Sequence, residues 1–173
     1  LPLVHYLEAS YHVAGHRQPV QPEHGEALYV GGGVVPSAGF ERSGGPCPVL
    51  RYPWASARAA LLALADSRPG EPSVQITYTN PETGGDAQAI LGYYAQMLRP
   101  GQTLELPVRS PAMVFHQIEG EVDVRVADQS FTLTEADTCC APGYTPVALR
   151  NRSAGQPAFL FIADEAPLHR KLG

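Results

Sequence analysis

The pattern of apolar and polar positions changes character along the chain. Residues 1–50 contain short apolar stretches that Gly and Pro interrupt repeatedly, which argues against long regular elements. Residues 54–66 carry apolar side chains at helical spacing and are rich in Ala, so they predict a helix that ends before Pro69 and Gly70. From Ser73 onward the pattern changes to short apolar runs between turn residues, which predicts β-strands.

The predicted strands follow one another closely. The alternating run Val74–Thr79 comes first, and a turn or loop follows at residues 80–85. The later predicted strands are Ala87–Leu98, Thr103–Leu106, Met113–Ile118, Val122–Val126, Phe131–Leu133, Thr138–Ala141, Val147–Leu149 and Ala158–Ala163. Short strands at this spacing are typical of a β-sandwich or barrel.

The composition agrees with a β-rich domain. The 173 residues include 17 Pro and 17 Gly, and so much Pro argues against a helical bundle or coiled coil because Pro removes a backbone donor and clashes inside helices. Apolar residues make up 44% of the chain, which is enough for a packed core. The length allows one ordinary domain with an arm or linker.

Charge and cysteine content exclude several partners. Lys and Arg number 12 against 17 Asp and Glu, so the net charge of −5 gives no basic stripe for nucleic acid. No apolar run approaches the roughly 20 residues of a membrane span. The adjacent Cys139 and Cys140 point to opposite faces of a predicted strand, and we expect reduced thiols in a cytoplasmic protein.

The first residues, Leu1–Val4, contain neither an initiating Met nor a signal-peptide pattern. We therefore expect a processed or excised piece, or a longer protein whose beginning is absent from this sequence.

Two stretches, Gly101–Gly120 and Glu135–Asn151, resemble the two consensus motifs of the cupin superfamily. Other stretches are similar to gentisate 1,2-dioxygenases, whose layout salicylate and 1-hydroxy-2-naphthoate dioxygenases share. These stretches are Leu1–Val4, Leu50–Trp54, Tyr78–Gly85, Leu98–Gly101 and Lys171–Gly173.

The resemblance implies a mainly β cupin double-stranded β-helix, or jelly roll, with an irregular N-terminal arm and one helix. Residues 1–72 would be arm and interdomain linker, and residues 73–173 a C-terminal cupin. Such enzymes are bicupins, in which three His of the N-terminal cupin bind Fe(II) and O2 is inserted into an aromatic ring with adjacent carboxylate and hydroxyl groups. The implied partners are the N-terminal cupin of the same protein and further copies, as a dimer or tetramer.

The family's ligand positions can be placed on this sequence one by one. Its His-x-His pair falls on Pro107 and Arg109, its Glu on Met113, and its second-motif His on Val147. None of these four side chains is a suitable Fe(II) ligand. The resemblance therefore implies a degenerate cupin that binds no metal, with Fe(II) held in the N-terminal cupin.

Two residues remain candidates for ligand binding. Arg109 either forms a salt bridge at the rim of the barrel or binds the carboxylate of a ligand at the barrel mouth. His116 is either a hydrogen-bonded core or interface residue or a functional group. The alternative function is a free-standing, metal-free cupin that binds a small ligand or acts as a scaffold.

A third hypothesis places a metal site in the N-terminal arm. The spacing of His12 and His16 would bring them together on a helix, but Gly15 and Pro19 argue against that helix. The arm histidines are His5, His12, His16 and His24.

Overall fold

The structure is a computed structural model that describes residues 52–80 and 83–173. The predicted irregular arm and its four histidines lie outside the described residues. The described part contains the helices α1 (Trp54–Ser67) and α2 (Ala166–Leu172). Its strands are β1 (Ser73–Thr77), β2 (Gly92–Leu98), β3 (Thr103–Leu106), β4 (Met113–Glu119), β5 (Val122–Val126), β6 (Gln129–Leu133), β7 (Thr138–Ala141), β8 (Val147–Asn151) and β9 (Ala158–Asp164).

The strands form two antiparallel sheets. The larger sheet has the order β1-β2-β9-β4-β7, and the smaller sheet has the order β3-β8-β5-β6. The late strands β9 and β8 are each inserted between earlier ones, which is the connectivity of a double-sheet jelly roll. The structure thus confirms the predicted mainly β cupin fold.

The main core lies between the two sheets. Alternate residues of each strand point inward, so β4 contributes Met113 and Phe115 while β5 contributes Val122, Val124 and Val126. Further buried members come from β2, β6, β7, β8 and β9: Leu98, Leu133, Ala141, Val147, Leu149, Ala158, Leu160 and Ile162.

Helix α1 covers part of the outer face of the larger sheet. Its buried residues Ala57, Leu61 and Ala65 recur at helical spacing, and Leu61 and Ala65 pack in a second cluster that includes Met97 and Phe159 of the sheet. The helix occupies residues 54–67 and so confirms the prediction.

Polar contacts fix both ends of α1. The Glu119 carboxylate accepts hydrogen bonds from Trp54 Nε1 at 2.7 Å and from Arg58 Nε at 3.0 Å. At the other end, the Arg99 guanidinium donates to the carbonyls of Ala65 and Arg68 at 2.6 and 3.0 Å, which places a cation at the negative end of the helix dipole. Neither described helix is long and apolar enough to cross a membrane.

Two local elements differ from the expectation. The run predicted as a strand from Ala87 becomes β2 only at Gly92, where a Cβ atom would lie 2.5 Å from the Tyr94 hydroxyl. Helix α2 was not predicted, although its sequence carries a start signal: Pro167 lies in the first turn, and the Asp164 carboxylate accepts a hydrogen bond from the first helical N–H group.

Asn151, the last residue of β8, joins the two sheets. Its side chain is fully buried, and Nδ2 donates to the carbonyls of Leu98, Arg99 and Gln156 at 3.2, 3.2 and 2.8 Å. Its Oδ1 accepts from the Ser153 N–H group at 2.9 Å. One amide group therefore satisfies backbone groups of β2, of the segment after it and of the turn before β9.

We expect Asn151→Asp to lower the free energy of unfolding by about 3 kcal/mol, because a carboxylate oxygen would replace the only donor facing three carbonyl oxygens. Urea denaturation measures the change. The control Ser130→Ala, on exposed β6, should change stability by less than about 0.5 kcal/mol. A loss below about 1 kcal/mol for Asn151→Asp would show that the sheets do not depend on this amide.

Candidate functional site

The barrel mouth is built by two loops, residues 107–112 before β4 and 142–146 before β8. The Tyr144 N–H group donates to the Arg109 carbonyl at 2.7 Å, which ties the loops together. Gly143 allows this approach, because a Cβ atom there would lie 2.1 Å from the carbonyl oxygen of Ser110.

The structure brings the four ligand positions to this mouth. Met113 and Val147 are buried in the core, at the first positions of β4 and β8. The β3–β8 ladder pairs Leu106 with Val147, which places Pro107 directly beyond that pair. Arg109 Nη2 lies 3.9 Å from the sulfur of Met113. Arg109 is therefore close to Met113, and Pro107 follows the residue that pairs with Val147. The assignment of these four residues as former ligand positions stays a prediction.

These residues do not fit an iron ion. The side chains of Pro107 and Val147 supply no donor atom, Arg109 brings a positive charge, and the thioether of Met113 is a soft ligand. Iron(II) is held in sites of this type by imidazole and carboxylate groups. Among the described residues, no group of three or more His, Cys, Asp or Glu is placed to hold a metal ion.

Arg109 pairs with a buried carboxylate at the end of β9. Its Nη2 lies 3.2 Å from Oδ2 of Asp164, whose side chain is 0% exposed, whereas the Arg109 side chain is 46% exposed. Asp164 Oδ1 accepts hydrogen bonds from the Tyr94 hydroxyl at 3.2 Å and from the Ala166 N–H group at 3.0 Å. Burial, together with the Asp164 carboxylate, raises the pKa of Tyr94, so this hydroxyl remains a donor at neutral pH.

Helix α2 closes the same region from outside. His169 Nδ1 lies 2.9 Å from the Ser110 hydroxyl, and the Glu165 carboxylate accepts a hydrogen bond from the Ala112 N–H group at 3.4 Å. Arg170 pairs with Asp86 in the segment before β2. Ion pairs and hydrogen bonds therefore connect the mouth loops, β9 and α2. Within this network, Nη2 of Arg109 is engaged by Asp164.

His116 lies elsewhere. It belongs to the outward-facing row of β4, whereas Met113 of the mouth faces the core, and its Nδ1 lies 2.9 Å from the Thr138 hydroxyl. The structure thus does not bring Arg109 and His116 into one site. Their roles in ligand binding stay predictions.

His116 lines a pocket of about 470 Å³ on the outer face of the larger sheet, beside α1. We call this pocket the aromatic groove. Its lining residues are Tyr52, Trp54, Tyr78, Ala87, Gln88, Tyr93, His116, Ile118 and Phe161. The Tyr93 and Phe161 rings stack at 5.8 Å, and the Tyr52 and Tyr78 rings lie 4.9 Å apart. Sequence reasoning missed this groove, although aromatic residues on the outward positions of β2 and β9 were a signal.

The two described cysteines are free thiols on opposite faces of β7, as the strand pattern predicts. Cys139 is half-buried against the core, and Cys140 is exposed. Burial, and then the neighbouring Cys140, raise the pKa of Cys139 to about 11.

We expect the Arg109–Asp164 pair to stabilise the mouth. Arg109→Met should lower the free energy of unfolding by about 2 kcal/mol because it leaves a buried carboxylate without its cation; the exposure of Arg109 keeps the loss below that of a fully buried pair. A double-mutant cycle with Asp164→Asn, measured in urea, gives the coupling. The exposed pair Arg125–Glu105 is the control and should couple by less than about 1 kcal/mol. Equal couplings would contradict the assignment.

We expect Cys139 to alkylate slowly in the folded protein. Since its pKa of about 11 favours the thiol, the thiolate fraction below pH 9 should be about a hundredfold lower than for a thiol with pKa 9.0. Mass spectrometry after timed alkylation measures the rate, with the urea-unfolded chain as control. The rate should still rise steeply at pH 10, and a plateau near pH 9 would contradict the raised pKa.

No protein-family model matches the chain. It is 63% identical over all 173 residues to a gentisate 1,2-dioxygenase from Ralstonia sp, of which it covers 49%. It is 28% identical over 175 residues to a 5-aminosalicylate 1,2-dioxygenase from Comamonas sp, with 99% of this chain and 46% of that protein covered.

The solved structure of a salicylate 1,2-dioxygenase from Pseudaminobacter salicylatoxidans is also similar, with a TM-score of 0.65 and 25% identity over 86% of this chain and 44% of that one. The chain spans about half the length of the curated relatives it matches. The resemblance predicted from the motifs is thereby confirmed: the chain is similar to gentisate and salicylate 1,2-dioxygenases, and it corresponds to the C-terminal half of the solved structure.

Proposed function

We propose that this chain is the metal-free cupin half of a ring-cleaving dioxygenase, and that the catalytic Fe(II) belongs to an N-terminal cupin of the same protein. The observation that carries the proposal is the content of the barrel mouth. A ligand set that would hold iron is replaced there by Pro107, Arg109, Met113 and Val147, and the cation of Arg109 is paired with Asp164.

The substrate class follows from the relatives. One relative is named for gentisate and another for 5-aminosalicylate. We propose that the whole protein inserts O2 into a benzoate ring of this kind, in which a hydroxyl group stands next to the carboxylate. The described residues carry no step of that reaction in this proposal.

The role of this half is structural. In the proposal, residues 73–173 form the C-terminal cupin, and residues 1–72 provide the arm and interdomain linker. Apolar side chains at the mouth and on the sheet face support packing against another domain or copy, since Val108 is 55% and Tyr144 75% exposed. We propose a cytoplasmic dimer or tetramer built on such surfaces.

The alternative is a free-standing, metal-free cupin that binds an anion through Arg109. Its support is that the described structure uses only Nη2 of this guanidinium in hydrogen bonds. The reading frame upstream of Leu1 distinguishes the two functions: an in-frame cupin with a His-x-His motif supports the dioxygenase half, and a start codon at this position supports the free-standing protein.

We expect the full-length protein to bind one iron per polypeptide, not two, because only one half retains ligands of the required kind. Elemental analysis after reconstitution with Fe(II) under anaerobic conditions measures the stoichiometry. The double variant Arg109→Ala/Met113→Ala should keep one iron, as should the control Arg125→Ala on the outer face of the smaller sheet. Two irons in the parent, or loss of one iron only in the double variant, would refute the proposal.

A further inference from the structure

Helix α1 covers only part of the outer face of the larger sheet, and the aromatic groove lies on the uncovered remainder. The helix packs over Ala95, Met97 and Phe159 of the larger sheet. The outward row continues past the helix to Tyr93 and Phe161, where no described element packs over the sheet. The groove is therefore an apolar continuation of the surface that already binds one segment of the chain.

The lining chemistry selects the kind of occupant. Among the described residues that line the groove, none is Asp, Glu, Lys or Arg, which disfavours a charged ligand. Aromatic rings dominate, and two polar atoms have no hydrogen-bond partner in the described part of the chain. These are the Tyr78 hydroxyl, which can donate, and Nε2 of His116, which donates in one tautomer and accepts in the other. An aromatic groove with a few donors is the surface that binds proline-containing extended peptides, whose carbonyls are free to accept hydrogen bonds.

The chain enters the described structure at this groove. Tyr52 is the first described residue and lines the groove, and its hydroxyl donates to the Thr79 carbonyl at 2.6 Å. The five residues Pro46–Leu50 precede it closely and contain two prolines, one cysteine and two aliphatic residues. No charged residue lies between Arg42 and Arg51.

We propose that Pro46–Leu50 binds in the aromatic groove as an extended, polyproline-type strand. Proline rings and aliphatic side chains would pack on the aromatic rings. Backbone carbonyls would accept hydrogen bonds from the Tyr78 hydroxyl and from His116 in the tautomer that is protonated at Nε2. At about 3.1 Å per residue, the six steps from Pro46 to Tyr52 span about 19 Å, so the segment reaches the groove without a long connection. The fixed φ angle of its two prolines lowers the entropy lost on binding. This binding does not require the proposed function.

Cys47 lies inside the segment Pro46–Leu50, so the alkylation rate of its thiol measures whether that segment is buried. In the folded full-length protein, Cys47 should alkylate at least about tenfold more slowly than in the urea-unfolded protein, because a docked segment reacts only when it opens. Trypsin releases residues 43–51 as one peptide, so mass spectrometry measures Cys47 separately from every other cysteine. The exposed Cys140 shows in the same samples that the reagent reaches the folded surface.

Two groove variants and one control test the location. Tyr93→Ala removes a wall of the groove, and Gln88→Trp fills it from an exposed position without changing the core. Both should raise the Cys47 rate to within about twofold of the unfolded rate. Phe131→Ala removes an exposed aromatic ring from β6 of the other sheet and should leave the rate unchanged. A native Cys47 that reacts at the unfolded rate, or protection that survives both groove variants, would overturn the proposal and assign the groove to another occupant.

Discussion

The two sheets of the jelly roll are joined at one end through the buried amide of Asn151, which donates to three backbone carbonyls and accepts from one N–H group. The core between the sheets depends on this contact, because apolar packing is not directional and does not itself satisfy the backbone where strands leave the sheets. Strand β8 runs from Val147 at the mouth to Asn151 at this closed end. The same strand thus links the structural contact to the candidate site.

The mouth is held together by an ion pair next to the apolar core. Where the resemblance implies imidazoles and a carboxylate, the structure has apolar bulk from Met113 and a cation from Arg109. A lone buried carboxylate is costly, and so is a cation without a counter-charge beside an apolar core. The pair of Arg109 with Asp164, supported by the Tyr94 hydroxyl, solves both problems and connects the mouth loop to helix α2.

The outer face of the larger sheet has a different chemistry. Helix α1 packs there through Leu61 and Ala65, and Glu119 fixes its first turn by accepting hydrogen bonds from Trp54 and Arg58. Beyond the helix, aromatic rings replace aliphatic packing, and the described residues that line the groove are uncharged side chains. Exposed aromatic rings are stabilised when another segment covers them and removes them from water. The mouth with its ion pair and the aromatic groove on the outer face are therefore separate places on the described structure.

The sequence by itself determined the elements with strong local signals. Residues 54–67 form the predicted helix because Ala-rich helical spacing needs no distant partner, and most strands lie where alternation and turn residues place them. The assignment of Pro107, Arg109, Met113 and Val147 as former ligand positions stays a prediction from the motif frame. Only the tertiary structure decided the partner of Arg109, since Asp164 is 55 residues away and no periodicity links them. It alone also placed His116 on the outer face and assembled the aromatic groove, because that groove combines residues from 52 to 161 and exists only once β2, β9 and β4 lie side by side.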